Sequence, residues 1–180
     1  FQAAMHARER RQLGAHYTGE RDALKLVRGL FLDELEAAFA EALTAGEAAL
    51  RGFLAGLRRL RIFDPACGCG DFLVLVYREL RGLERRALVA LGGSVGERVG
   101  LDQVFGIEIA AAAVEIAEAE LRRVDAACGS ESGAGPRLIV GDALEVEWSQ
   151  LLAPGDDVVV LGNPPFVGKH YQTGRQKAQM

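Results

Sequence analysis

The stretch LRIFDPACGCGDF, residues 60–72, decides the fold. A short apolar run, Leu60–Asp64, gives way at Asp64-Pro65 to a glycine-rich turn, and a helical pattern begins near residue 71 and runs to about 91. Strand, glycine turn and helix in direct succession open a βαβ unit. Glycines let backbone come close to a ligand, and a helix N-terminus offers free N–H groups, although a plain tight turn would use the same glycines. A dinucleotide fingerprint needs a third glycine three residues after Gly70, and that position is Leu73. Asp64 and Asp71 flank the turn. They would repel a pyrophosphate and suit an ammonium group, which favours an amine-bearing nucleoside over a nicotinamide cofactor.

Outward from this turn the pattern repeats. Val104–Glu108 reads as a second strand, Ala110–Ala127 as a helix, Arg137–Val140 as a third strand and Asp157–Leu161 as a fourth. Residues 92–102 and 128–135 read as loops. Strands alternating with helices predict a parallel, doubly wound sheet whose ligands gather at the carboxyl ends of the strands. Ahead of the sheet, Leu24, Val27, Leu30, Phe31, Leu35 and Phe39 recur at helical spacing through 20–45, with Thr18 as the expected cap, and a second helix covers 46–59. Residues 1–12 read as a short exposed helix. The expected organisation is therefore a helical arm, 1–59, followed by an α/β region, 60–180.

Composition narrows the possibilities. The 180 residues are 49% hydrophobic and 26% charged, as in ordinary globular proteins. A net charge of −4 and a pI of about 5.5 argue against nucleic-acid binding through bulk electrostatics alone. Three cysteines suit a reducing, cytoplasmic compartment, and Cys67-x-Cys69 with distant Cys128 falls short of a zinc ligand set. No apolar run approaches the ~18 residues of a membrane span, so no membrane partner is expected. The chain begins at Phe1, which reads as part of a longer protein.

Each predicted strand ends at or beside a polar residue: Asp64, Glu108, Asp142, Asn163. Glu108 could accept hydrogen bonds from two ribose hydroxyls or simply cap the following helix. Asp142 could accept from an adenine amine or close an Asx turn. Asn163-Pro164-Pro165-Phe166 is more telling. An asparagine side-chain oxygen and a proline-flanked carbonyl can accept both hydrogens of an –NH₂ group. That draws the nitrogen lone pair out of conjugation for attack on an electrophilic carbon. Two prolines hold the carbonyls rigid in advance, and Phe166 offers a face for a planar base. A strand-ending turn explains the asparagine and one proline but not the whole tetrad.

These motifs together resemble the S-adenosylmethionine-dependent class I DNA methyltransferases of the amino type. Asp64–Gly70 is similar to their D-P-A-C-G-S-G cofactor loop, Asn163–Phe166 to their N-P-P-[YF], and Gly14–Thr18 to their N-terminal closing motif G-x-[FY]-[YF]-T. The motif order is similar to the gamma arrangement of N6-adenine enzymes. RRQLGAHYTGERDALKLVRGLFLDEL (10–35), FDPACGCGDFLVLVYRELRGLE (63–84) and LGNPPFVGKHYQ (161–172) look particularly like large single-chain restriction-modification proteins of the MmeI type.

The resemblance implies a Rossmann-like methyltransferase sheet, here four parallel strands of a usual seven, acting on double-stranded DNA. It implies Tyr17 and Thr18 at the methionine end of the cofactor. Asp64 and the Ala66, Cys67, Gly68 and Gly70 backbone would hold its amino-acid part, Glu108 its ribose, and Ile109, Asp142 and Ala143 its adenine. Asn163, Pro164, Pro165 and Phe166 would form the catalytic corner. His16 and Cys69 depart from the family pattern without removing a catalytic group.

The remaining features are plainer. The alternating charges of 1–12 and 78–86 read as solvated helix faces, and Trp148 as core or partial cover. Lys169, His170, Arg175 and Lys177 either track DNA phosphates or lie on the surface. The fourth strand would present an apolar edge, so the segment is expected to be inert alone unless self-association or a partner covers that edge. RNA, a protein glutamine, or cofactor binding without transfer stand as alternative functions.

Overall fold

The computed structural model describes residues 19–93, 99–129 and 133–163. The readings for 1–12, Gly14–Thr18, Pro164–Phe166 and the basic stretch 169–177 lie outside the described residues. Helix α1 (Glu20–Val27) starts at Gly19, whose flanking geometry makes no side-chain cap, in place of the expected Thr18. The predicted single helix over 20–45 is interrupted by a π-helical turn, Arg28–Leu32, before α2 (Asp33–Ala45). The wider turn shifts the apolar phase so that adjacent Phe31 and Leu32 are both buried. Gly46, at φ +100°, ends α2 and admits the reversal into α3 (Glu47–Arg59). Phe39 and Phe53 stack across the two helices with centroids 5.6 Å apart.

The sheet follows the predicted strands closely: β1 (Arg61–Asp64), β2 (Val104–Glu108), β3 (Arg137–Val140) and β4 (Val158–Val160). Helix α4 (Asp71–Ala90) joins β1 to β2, and α5 (Ala111–Ala127) joins β2 to β3. A 3₁₀ turn, Leu101–Gln103, occupies part of the expected 92–102 loop, and a short α6 (Trp148–Leu151) precedes β4. The strand order is β3-β2-β1-β4, all parallel, with Phe63 opposite both Phe105 and Val160 and Glu108 opposite Val140. The chain builds outward from β1 to β3 and then returns to the other side of β1. The strand order therefore switches between β1 and β4, the place where open parallel sheets bind their ligands beyond the carboxyl ends.

One face of the sheet packs Ile62 and Val104 against Leu73, Val76, Tyr77 and Leu121, and the same core continues into Val27, Phe31, Phe39 and Leu57 of the N-terminal helices. Arg86 fastens α4 to α2, lying 4.5 Å over the Phe39 ring and 2.7 Å from a Glu36 carboxylate oxygen. The other face holds a smaller cluster, Phe63, Phe105, Ile107 and Leu152, with Trp148 edge-on to Phe63 at 5.1 Å as partial cover. Strand β4 lies at the edge, pairing with β1, and Val160 is exposed. No helix among the described residues is long and apolar enough to cross a membrane.

In the charged run 78–86, Arg78, Arg85 and Arg86 are exposed as expected, but Arg81 and Glu84 correct the expectation of a solvated face. Arg81 and Glu84 are buried, 3.3 Å apart. Arg81 donates to the carbonyls of Val99 (2.6 Å) and Cys128 (3.3 Å), and Glu84 accepts the Val99 N–H at 2.7 Å. The pair serves backbone groups at the entry to β2, a demand that helical charge periodicity does not reveal.

Candidate functional site

The glycine turn is held from three sides. Asp64, 1% exposed, ends β1 and accepts the Ala66 N–H on Oδ1 at 2.9 Å. The Cys67 N–H donates to the carbonyl of Ile107 on β2 at 3.0 Å. Glu108 completes the arrangement: Oε2 accepts the Gly68 N–H at 3.0 Å and Oε1 the Ala110 N–H at 2.9 Å. Gly70, at φ +84°, starts α4, and a Cβ there would stand 2.9 Å from that of Ala117. The turn is thus seated directly on α5, a close approach of the kind that requires glycine.

Burial pushes the Asp64 carboxyl up to about 7, opposed by the Ala66 N–H and reinforced by the negative charge of Glu108. Burial also drives the Cys67 thiol well above the usual thiol range, with Asp64 and Glu108 adding to the effect. Its sulfur lies where a side chain on Gly106 would be, 2.9 Å from an ideal Cβ. Cys67 is therefore a packed, protonated thiol with no nucleophilic character. Cys69 is half-buried and Cys128 exposed, and both are free thiols.

Asp142 lies just beyond β3. Gly141 N–H donates to the Glu108 carbonyl at 2.9 Å, and Asp142 Oδ1 accepts the Leu144 N–H at 3.0 Å, an Asx turn. The Asx-turn reading of Asp142 is the one the structure shows, and the turn uses one carboxylate oxygen. Ile109 is 67% exposed beside Glu108, and the Ala143 carbonyl accepts the Trp148 Nε1–H at 2.8 Å.

Beyond β4, the Leu161 N–H donates to the Phe63 carbonyl at 2.9 Å, and the next residue, Gly162, passes directly over Asp64. An ideal Cβ on Gly162 would stand 2.5 Å from Asp64 Oδ1. Asn163 follows at once and is exposed. The structure therefore brings Asp64, the glycine turn, Glu108 and the chain entering Asn163 to one end of the sheet. Tyr17, Thr18, Pro164, Pro165 and Phe166 lie outside the described residues.

Sequence reasoning missed Gly106 and Gly162. A glycine inside a strand, as in VFGIE, signals close approach by another group, and Gly106 meets Cys67 and Leu138 in this way. Gly162 carries no comparable signal, because its neighbour is 98 positions away in the chain.

The acids and glycines fit a ligand bearing both an ammonium group and a diol. A buried carboxyl raised to about 7 is only partly ionised near neutral pH, and an approaching cation favours its charged form. Glu108 has committed one lone pair of each oxygen to a backbone N–H and keeps others for hydroxyl donors.

Comparison with known proteins gives a consistent picture. A family model described as "MmeI, DNA-methyltransferase domain" matches residues 39–180. "DNA methyltransferase A" of Bacillus subtilis is 33% identical across 100% of this chain, which spans 23% of that protein. "Adenine-specific methyltransferase PglX" of Streptomyces coelicolor is 32% identical over 60% of the chain and 8% of its own length. The solved structure of the type IIL restriction-modification enzyme MmeI in complex with DNA superposes on 99% of this chain and 26% of its own, with a TM-score of 0.84 and 40% identity. The chain thus spans about a quarter of the length of its full-coverage relatives.

Proposed function

The chain belongs to the MmeI DNA-methyltransferase domain family, and from that premise we propose that it supplies the cofactor cradle and target-amine corner of an N6-adenine DNA methyltransferase. The parent protein is a cytoplasmic restriction-modification enzyme that uses S-adenosylmethionine. The observation that carries this reading is the contact between Asp64 of the glycine turn and Gly162 at the entry to the Asn163–Phe166 tetrad. It brings the glycine turn beside the residue that precedes the tetrad, where the strand order switches from one side of β1 to the other.

The cofactor, when bound, supplies a methyl group on a positively charged sulfur, which departs with the electron pair as a neutral thioether. Asp64 would receive the ammonium group of its amino-acid part, and the Ala66, Cys67, Gly68 and Gly70 backbone would hold the rest. Glu108 would accept from the ribose hydroxyls, and Ile109, Asp142 and Ala143 would hold the adenine. Tyr17 and Thr18 would hold the methionine end. Adenine enters the pocket by flipping out of duplex DNA, at an unpairing cost of a few kcal/mol. Asn163 Oδ1 and the Pro164 carbonyl would accept the two amine hydrogens and so free the nitrogen lone pair for attack. Pro165 would stiffen that corner and Phe166 would stack on the base. The methylated nitrogen would release one proton to solvent, with no covalent enzyme intermediate.

Support comes from the acid-lined glycine turn, the motif order and the DNA methyltransferases among the relatives. The test uses the full-length protein with isotope-labelled cofactor and, separately, duplex DNA, RNA and protein. Label recovered as N6-methyladenine in DNA is the expected product. Label in methylcytosine, RNA or protein glutamine would replace this reading.

A further inference from the structure

Asp64 meets the glycine that leads into the second motif, and the contact has a direction. Asp64 cannot yield readily: it is fully buried, and Ala66 N–H holds its Oδ1 at 2.9 Å. On the opposite side, the pairing of Phe63 with Val160 and the Leu161 N–H bond to the Phe63 carbonyl deliver the chain to Gly162 with little freedom. The carboxyl occupies the volume a side chain at 162 would fill, with Oδ1, Cγ and Oδ2 at 2.5, 3.0 and 3.3 Å from an ideal Cβ. Gly162 also has φ +154°, a conformation that L side chains rarely adopt. One residue further on is Asn163.

We propose that Gly162 is a positioning residue through which the Asp64 carboxyl, the group that receives the cofactor, sets the placement of Asn163 for transfer. The inference rests on the function proposed above and adds a coupling between its two halves. Occupancy at Asp64 is felt by the peptide that carries the amine-holding asparagine. A side chain at 162 must push either the carboxyl away from the cofactor or Asn163 away from the target amine. Such displacements are costly because catalysis depends on placement within fractions of an ångström.

The experiment is a double-mutant cycle in the full-length protein with Gly162→Ala, Asp64→Ser and the pair. Cofactor affinity is measured by calorimetry, and the single-turnover methylation rate on duplex DNA is measured at saturating cofactor. Gly162→Ala is expected to slow transfer by roughly 100-fold and to weaken cofactor binding by roughly tenfold. Asp64→Ser makes room for the added methyl but leaves the backbone strain at φ +154°, so the pair should lose clearly less than the product of the two single losses. Wild-type rates in Gly162→Ala, or strictly multiplicative losses in the pair, would overturn the coupling. In the multiplicative case the damage would come from backbone strain alone. If Gly162→Ala fails to fold, recovery of a folded protein in the pair supports the contact, and a pair that also fails to fold contradicts it. A wild-type protein that binds cofactor but modifies no adenine would defeat the proposed function, while the binding arm of the cycle would still test the coupling.

Discussion

Glu108 at the end of β2 holds the backbone of Gly68, forty residues earlier in the chain, through a 3.0 Å hydrogen bond. The same carboxylate holds its own loop through Ala110 at 2.9 Å. A carboxylate is suited to this because it accepts on both oxygens and donates on neither.

Glu108→Gln keeps the length but replaces one acceptor with an –NH₂ that must face an N–H. The loss of one bond beside a half-buried donor is expected to cost about 1–3 kcal/mol of stability, measured by urea denaturation of the full-length protein. Cofactor affinity should fall along with it, because the turn loosens and a ribose acceptor disappears. Unchanged affinity would remove Glu108 from the site.

Asp64 makes the site sensitive to pH. Its carboxyl is raised from 3.8 to about 7, so between those values the folded protein keeps a proton that the unfolded chain has released. Stability is therefore fully present below 3.8 and is lost as pH rises towards about 7, by a few kcal/mol in all. Asp64→Asn keeps the oxygen that accepts from Ala66 and removes the charge. The variant should melt higher than wild type at pH 8 and alike at pH 4. Cofactor binding should show the reverse pattern. Wild-type affinity rises up to pH 7 as the carboxylate forms against the ammonium, whereas the variant binds weakly at every pH. Parallel pH profiles for the two proteins would exclude the ionic role of Asp64.

The Arg81–Glu84 pair separates structural from catalytic roles. It lies ten residues along α4 from Asp71, about 15 Å at helical rise. Removing either partner strands a buried charge, so Arg81→Met or Glu84→Leu should each destabilise by about 3–5 kcal/mol. The double variant should lose clearly less than the sum, and its transfer rate below the melting temperature should match wild type. Chemical denaturation and the methylation assay check the two halves of this prediction.

The strands were legible because each is a short apolar run ended by glycine, proline or an acid. β2 and β3 match residue for residue, and β1 and β4 differ only at their ends. The candidate acids Asp64, Glu108 and Asp142 stood out as polar residues at strand ends, where a parallel sheet collects its ligands. What escaped notice depends on contacts between distant segments. The π-turn at Arg28–Leu32, with Phe31 and Leu32 both buried, leaves the apolar spacing of 20–45 looking like that of one continuous helix. Burial of Arg81 answers to the carbonyls of Val99 and Cys128. Gly162 answers to the carboxyl of Asp64. None of these partners is within helical or strand reach in sequence.

The central claim is that Asn163 holds the amine that is methylated, and Asn163→Ala in the full-length protein tests it most directly. Cofactor affinity by calorimetry should stay within a few-fold of wild type. Single-turnover transfer to adenine in duplex DNA should fall by about 100-fold or more, as when a preorganised transition-state hydrogen bond is lost. Transfer at the wild-type rate with the cofactor bound would contradict the account.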